Sequence, residues 1–287
     1  MRPLWLLGAY HKTGCILAIK LLNLLSGGYV RVQGSLPAPL PSLDARPFRH
    51  YWFSPNASSL ANLPDDVDYR LVHFARDPAE LAVSAYRYHG AAAAGERWLD
   101  VRADARRAPP RDAFELAHVR NVPGRLAAAG EHRLAAAVAS ELRSGATWRR
   151  VLAARDPAAG ATLEAFRAAG EIDKMVVNAG LLAADPRALT VRMAEFHRNF
   201  AAAAACVVAF LAPVRPGFDA EAHAKRAANL DPTAPTLSKR DAAHVTRGRH
   251  NDTALVAALR RLPHIARATA ALDAAAAAAT ARCPLAS

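Results

Sequence analysis

The chain has 287 residues, 52% hydrophobic and 22% charged, proportions of a soluble globule that exclude wholesale disorder and a membrane bundle. That length suits one α/β domain, with two small lobes as the alternative. A net charge of +12 and a pI near 10.3 predict a surface that attracts anions: nucleic acid, anionic lipid, polyanionic sugars or a small ligand with several phosphates. An excess of Arg over Lys and long Ala runs are also a chain-wide bias that raises the charge without any partner.

Leu4 to Tyr10 is an apolar run of strand length, and Ile16 to Leu25 has apolar residues at helical spacing. The opening therefore reads strand, short loop, helix, the unit of a parallel α/β sheet. A Pro-rich segment from Ser35 to Pro47 follows. His50 to Phe53 then reads as a short strand and Tyr69 to Ala75 as a stronger one. Asp77 and Pro78 mark the start of a helix, as cap and first-turn residue. Ala91 to Pro110 is polar and Arg-rich, the pattern of a mobile excursion. Amphipathic, Ala-rich helices fill Asp112 to Leu182, so the segment from about 91 to 182 reads as a helical insertion in a single domain spanning 1–287. Ala188 to Met193 returns to strand character and Glu195 to Leu211 to a helix. Asp231 to Arg249 reads as a loop, Asp252 to Leu262 as a helix, and Pro263 to Arg282 as a surface helix.

Cys15, Cys206 and Cys283 are scattered, without the CxxC or Cys/His spacing of a zinc site or a disulfide framework, so no metal is expected. The first residues, MRPLWLLGAYHKTG, are too short for a secretory h-region or a membrane span. No stable membrane insertion and a cytoplasmic location follow as expectations, with the Golgi lumen as the alternative if an anchor precedes the chain. Asn56 and Asn251 open N-glycosylation patterns that arise often by chance. No zinc finger, RRM signature or interleaving of aromatic and basic residues supports a nucleic-acid partner.

A phosphate sits well where a strand ends and a helix begins, because free N–H groups and the positive helix end both face it. Lys12, Thr13 and Gly14 occupy such a junction. The Walker pattern GxxxxGK[ST] would need glycines at Leu6 and His11, and no metal-holding acid after a strand is evident, which disfavours a P-loop kinase or NTPase. A second junction lies in VHFARDPAELAVSAYRYH, Val72 to His89. Arg76 ends a strand there, and Ser84 follows eight positions later on the helix. Arginine offers a two-pronged donor to phosphate, and a hydroxyl two turns on reaches the same group if it lies along the helix.

The order Lys-Thr-Gly after an apolar strand resembles the 5′-phosphosulfate loop of sulfotransferases that use 3′-phosphoadenosine 5′-phosphosulfate (PAPS). Arg76-Asp77-Pro78 with Ser84, Tyr86 and His89 resembles the same family's 3′-phosphate signature. Ser238 to Leu262, with Arg247 and Gly248, is similar to a reduced form of its C-terminal Arg-Lys-Gly loop. The resemblance covers both ends and the first third of the chain and leaves about 91 to 182 unmatched. It implies an α/β fold with a central parallel sheet flanked by helices, the P-loop-like sulfotransferase fold. PAPS would be the co-substrate and a small molecule or glycan with a hydroxyl or amine the acceptor.

By the same resemblance, Lys12 would stabilise the leaving phosphate's bridging oxygen. Thr13 and the N–H groups of Gly14, Cys15 and Ile16 would hold the 5′-phosphate. Arg76, Ser84, Arg247 and Gly248 would hold the 3′-phosphate, and His50 would be the general base. His11 is a rival for that last role, and Asp44 a carboxylate alternative. Cys15 and Ile16 replace two hydroxyl residues, Leu17 an adenine-stacking aromatic and Met193 a frequent tyrosine. These departures leave open a catalytically inactive relative that binds nucleotide or polyanion.

Overall fold

The apolar run that opens the chain forms a strand, β1 (Arg2–Ala9), and the periodic run after it a helix, α1 (Cys15–Ser26). In this computed structural model the described residues are 2–26, 30–34, 36, 48–91, 95–103, 109–214, 217–231 and 252–279. The chain divides into two compact units. One is Met1–Asp77, Asp173–Ala242 and Ala268–Ser287; the other is Pro78–Ile172 and Ala243–Arg267. The helical segment expected from about 91 to 182 thus corresponds to the first stretch of a unit, Pro78–Ile172, to which Ala243–Arg267 also belongs.

The first unit holds the sheet. Its strands are β1, β2 (Val30–Gln33), β3 (Phe48–Phe53), β4 (Val67–Ala75) and β5 (Ala188–Arg192). They lie in the order β2-β3-β1-β4-β5 with every pairing parallel. Side chains alternate across β1 because the strand period is two. Trp5, Leu7 and Ala9 join one apolar cluster, with Ala18, Leu21 and Leu22 of α1. Leu4 and Leu6 join another, with Trp52, Leu71, Ala57 and Leu182. A sheet buried on both faces in this way is the usual state of a parallel sheet, whose crossovers cover it.

The helix predicted over Glu195 to Leu211 is two helices, α8 (Met193–Arg198) and α9 (Phe200–Leu211). Asn199 separates them with an extended backbone, and its side-chain oxygen accepts from the Ala202 N–H at 3.1 Å, a cap that restarts the helix. Trp5 fixes the far end of α9 by donating its indole N–H to the Leu211 carbonyl at 3.0 Å. α10 (Ala220–Ala228), capped by Asp219, completes that face. Cys206 is buried on α9.

The second unit is helical: α2 (Pro78–Gly90), α3 (Pro110–Ala128), α4 (His132–Arg143), α5 (Trp148–Ala153), α6 (Pro157–Arg167), the start of α7 (Ala169–Ala183), α11 (Asp252–Leu259) and the start of α12 (Pro263–Ala279). Trp98 and Leu99, in the polar stretch predicted to be mobile, are buried in its apolar core with Trp148 and Phe166. Two large apolar side chains anchor that stretch despite its charged neighbours. His89 and Tyr86 also serve this unit's packing. A Cβ on Gly160 of α6 would run into the Tyr86 ring, so glycine makes room for that ring beside the helix. His89 is fully buried, with Nδ1 2.8 Å from Glu164 Oε1.

Glu164 is the hub of a buried polar network. It also accepts from Trp148 Nε1 at 2.7 Å and from Arg167 Nε at 2.7 Å. Arg167 reaches Glu115 Oε2 at 3.1 Å. Burial works to raise the Glu164 carboxyl, but Arg167 and His89 overcome it and hold the group well below the usual range. Glu115 has a weaker share of that arginine, and burial pushes its carboxyl up to about 8. No described helix in the chain is long and apolar enough to cross a membrane.

Candidate functional site

The loop between β1 and α1 carries two unusual backbone conformations. Lys12 has φ 63° and Gly14 φ 102°. Glycine tolerates positive φ, whereas a lysine there costs about 1–2 kcal/mol, and such strain persists where surrounding contacts hold it. Those contacts centre on Thr13, which is fully buried. Its Oγ1 donates to the Tyr10 carbonyl at 3.0 Å and accepts from the Tyr10 N–H at 2.7 Å, and its own N–H donates to the same carbonyl at 3.1 Å. Cys15 Sγ also donates to that carbonyl, at 2.7 Å. The Thr13 hydroxyl therefore shapes the loop from inside. What the loop offers outward is backbone: α1 begins at Cys15, and the first N–H groups of a helix have no carbonyl behind them.

Gly14 is also required by space. A Cβ there would lie 2.7 Å from Met193 Sδ and 3.5 Å from the Phe74 ring. Met193, at the start of α8, thus closes over the loop. Ile16 is 36% exposed, unusual for a residue so near a strand-helix junction in a parallel sheet.

Arg76 follows β4, the neighbour of β1. Its guanidinium donates to the Lys12 carbonyl at 3.2 Å. The structure thus brings together, within the first unit, Lys12, Thr13, Gly14, Cys15, Ile16 and Arg76. Ser84 lies on α2 in the second unit, buried. Arg247 and Gly248 lie outside the described residues, as does Asp44.

His50 does not reach the loop. Its Cα pairs with Leu6, three residues before β1 ends at Ala9. At about 3.3 Å per residue that is on the order of 10 Å short of the sheet edge. It is fully buried, and burial lowers its imidazole to about 4, so it is neutral and weakly basic at pH 7. β3 runs from Phe48 to Phe53, so His50 stands three residues before its carboxyl end, inside the sheet. His11, 9% exposed, is the imidazole adjoining Lys12.

Several polar residues at this sheet edge carried no sequence signal. The Tyr10 hydroxyl lies 3.2 Å from His73 Nε2, and His73 Nδ1 3.2 Å from Thr190 Oγ1. Burial lowers His73 to about 3, so its ring is neutral and bridges Tyr10 and Thr190 with one donor and one acceptor. Asn178 on α7 donates to the Tyr10 hydroxyl and, at 2.8 Å, to the Pro55 carbonyl, and accepts from the Ala57 N–H at 3.0 Å. One turn earlier, Lys174 Nζ donates to Ser54 Oγ at 3.2 Å. Ser54 follows β3 with φ 48°, and its N–H donates to the Ala9 carbonyl at 2.9 Å. This belt ties together the carboxyl ends of β1, β3, β4 and β5. An isolated Asn or Lys in an apolar helix reads from sequence as solvated, so only the fold reveals it.

The chain leaves β1 toward the face that α1 covers, and leaves β3 toward the face where Ala57 packs. Adjacent parallel strands whose connections depart to opposite faces open a crevice at their carboxyl ends, the usual ligand site of such sheets. The chain matches no protein-family model, no curated protein and no solved structure.

Proposed function

We propose that the chain is a sulfotransferase that moves a sulfuryl group from PAPS to a hydroxyl or amine of a small molecule or glycan. The observation that carries this reading is the Arg76 guanidinium on the carbonyl of Lys12. This bond ties the residue after β4 to the backbone of the loop after β1, where α1 begins and its first N–H groups have no carbonyl behind them. That arrangement suits a ligand with two anionic ends rather than a single phosphate.

Sulfuryl transfer, like phosphoryl transfer, depends on positioning and on neutralising the leaving group. The acceptor oxygen forms a new S–O bond while the S–O bond to the 5′-phosphate breaks, and the electron pair stays on that phosphate. Lys12 would neutralise this charge at the bridging oxygen, and the N–H groups of Gly14, Cys15 and Ile16 would hold the remaining phosphate oxygens. Arg76 would take the 3′-phosphate, with Ser84, Arg247 and Gly248 as further contacts by resemblance. The acceptor's proton would pass to His11, which replaces His50 in this role because it adjoins the loop.

One observation favours a second reading, a relative that binds the nucleotide without turnover. The Thr13 hydroxyl is committed to Tyr10, and Cys15 and Ile16 supply no hydroxyl in its place. Transfer of radiolabelled sulfate from PAPS to a panel of hydroxyl and amine acceptors separates the two. Label in product that is lost in Lys12→Ala supports the enzyme; tight nucleotide binding with no labelled product across the panel supports the binder.

A further inference from the structure

Lys174 is a half-buried residue whose ammonium donates to a neutral hydroxyl, that of Ser54, and no carboxylate of the described residues pairs with it. A cation withdrawn from water ordinarily has an anionic partner, because burial without one costs several kcal/mol. Ser54 is itself unusual. It is buried, holds a positive φ, and stands on the β3 side of β1. Both residues are anchored to the loop strand: Ser54 by its N–H on the Ala9 carbonyl, and the Lys174 turn by its carbonyl, which accepts from the Tyr10 hydroxyl at 3.5 Å.

The strand order assigns the two sides of the crevice. Arg76 and the 3′-phosphate reading belong to β4, on one side of β1; Ser54 and Lys174 belong to β3, on the other. A donor laid from the β1 loop toward β4 leaves the β3 side for the second substrate. We propose that Lys174, with Ser54, is an acceptor-recognition site that selects acceptors carrying a carboxylate or sulfate. The choice of the word acceptor rests on the sulfotransferase reading; the presence of an anion site at Lys174 does not. The ammonium supplies the charge, and the Ser54 hydroxyl, held in place by its accepted hydrogen bond, donates its proton to the same anion.

The test uses the full chain and matched probe pairs: p-nitrophenyl glucuronide against p-nitrophenyl glucoside, 4-hydroxyphenylacetate against 4-hydroxyphenethyl alcohol, and a glucuronate-containing tetrasaccharide against its carboxyl-reduced form. Binding is measured by calorimetry without nucleotide and with 3′-phosphoadenosine 5′-phosphate present. At least one acidic member should bind about tenfold or more tightly than its neutral partner, the usual scale for a charge-assisted hydrogen bond. Lys174→Met should remove that preference, Lys174→Arg should keep most of it, and Ser54→Ala should weaken it. Thermal melts of each variant identify loss of fold, and Lys174→Arg against Lys174→Met at equal melting temperature then decides the matter. A wild-type chain with no acidic preference in any pair, or a preference that survives Lys174→Met, overturns the proposal. Failure of the nucleotide to bind would instead strike the sulfotransferase reading, since the nucleotide-free arm still reports on Lys174.

Discussion

The guanidinium of Arg76 donates to the carbonyl oxygen of Lys12 across 3.2 Å, joining the residue after β4 to the strained turn after β1. A hydrogen bond of this kind orients both partners. The carbonyl of a residue in left-handed conformation points away from where a right-handed one would, and the arginine is there to receive it. The cationic ends of two neighbouring strands are thereby built as one unit rather than as two separate turns.

The strain at Lys12 separates stability from activity. Lys12→Gly removes a side chain from an unfavourable φ and is expected to raise stability by about 0.5–1 kcal/mol in chemical denaturation. The same variant lacks the ammonium for the leaving group, so transfer should fall by roughly 100-fold or more. Lys12→Ala should lose the activity without the gain in stability.

Gly14 meets two constraints, and they can be separated. Gly14→Ala should destabilise the chain by about 1–3 kcal/mol, since alanine resists φ 102° and its Cβ would meet Met193 Sδ. Met193→Ala makes room but leaves φ unchanged. A double-mutant cycle by urea denaturation should show a favourable coupling of about 1 kcal/mol, with the rest of the loss remaining.

The two histidines predict different pH profiles. With His11 as proton acceptor, kcat/KM should fall on the acid side as its imidazole takes up a proton, and His11→Gln should abolish that limb along with most of the rate. His50→Gln should leave the limb in place. Its imidazole is held at about 4 inside the sheet, so any loss would come through stability.

Much of this was legible in the sequence, and the reasons for the remainder are local. β1, α1, β4 and β5 were found because their apolar periods are strong and their ends carry Lys-Thr-Gly, Asp-Pro or a polar break. β2 is only four residues long, between segments rich in Gly and Pro, so it has too few alternations to show a period. Asn199 split one predicted helix because a cap inside an apolar run looks like a single polar helical position. Lys12, Gly14 and Arg76 were recognisable because phosphate chemistry asks for those residue types at strand ends. Tyr10, Ser54, His73, Lys174 and Asn178 were not, since they meet only when four parallel strands and α7 bring their ends together. His50 came to the role of base through the resemblance alone; the strand read over His50 to Phe53 ends where β3 ends, and β3 begins two residues earlier, at Phe48.

The second unit carries a pH signature of its own. Glu115 is raised to about 8 in the fold against an ordinary value near 4.5, so the folded chain holds a proton that the unfolded chain has released between those limits. Its contribution is present below the lower value and is lost as pH rises toward 8. His50, His73 and His89 are lowered by burial and act below about 6.5, in the opposite sense. Between pH 6.5 and 8 the melting temperature should therefore fall, and Glu115→Gln should flatten that fall. Arg167→Met, which leaves Glu164 buried with its main partner gone, should cost about 3–5 kcal/mol at any of these pH values.

The most direct test of Arg76 as the 3′-phosphate site beside the Lys12 loop is calorimetry with 3′-phosphoadenosine 5′-phosphate against adenosine 5′-phosphate, on the wild-type chain and on Arg76→Ala. The account expects the wild type to favour the bisphosphate by about 10–100-fold, and Arg76→Ala to lose nearly all of that preference while still binding the monophosphate through the Lys12 loop. A wild type indifferent to the 3′-phosphate, or a preference unchanged in Arg76→Ala, would contradict it.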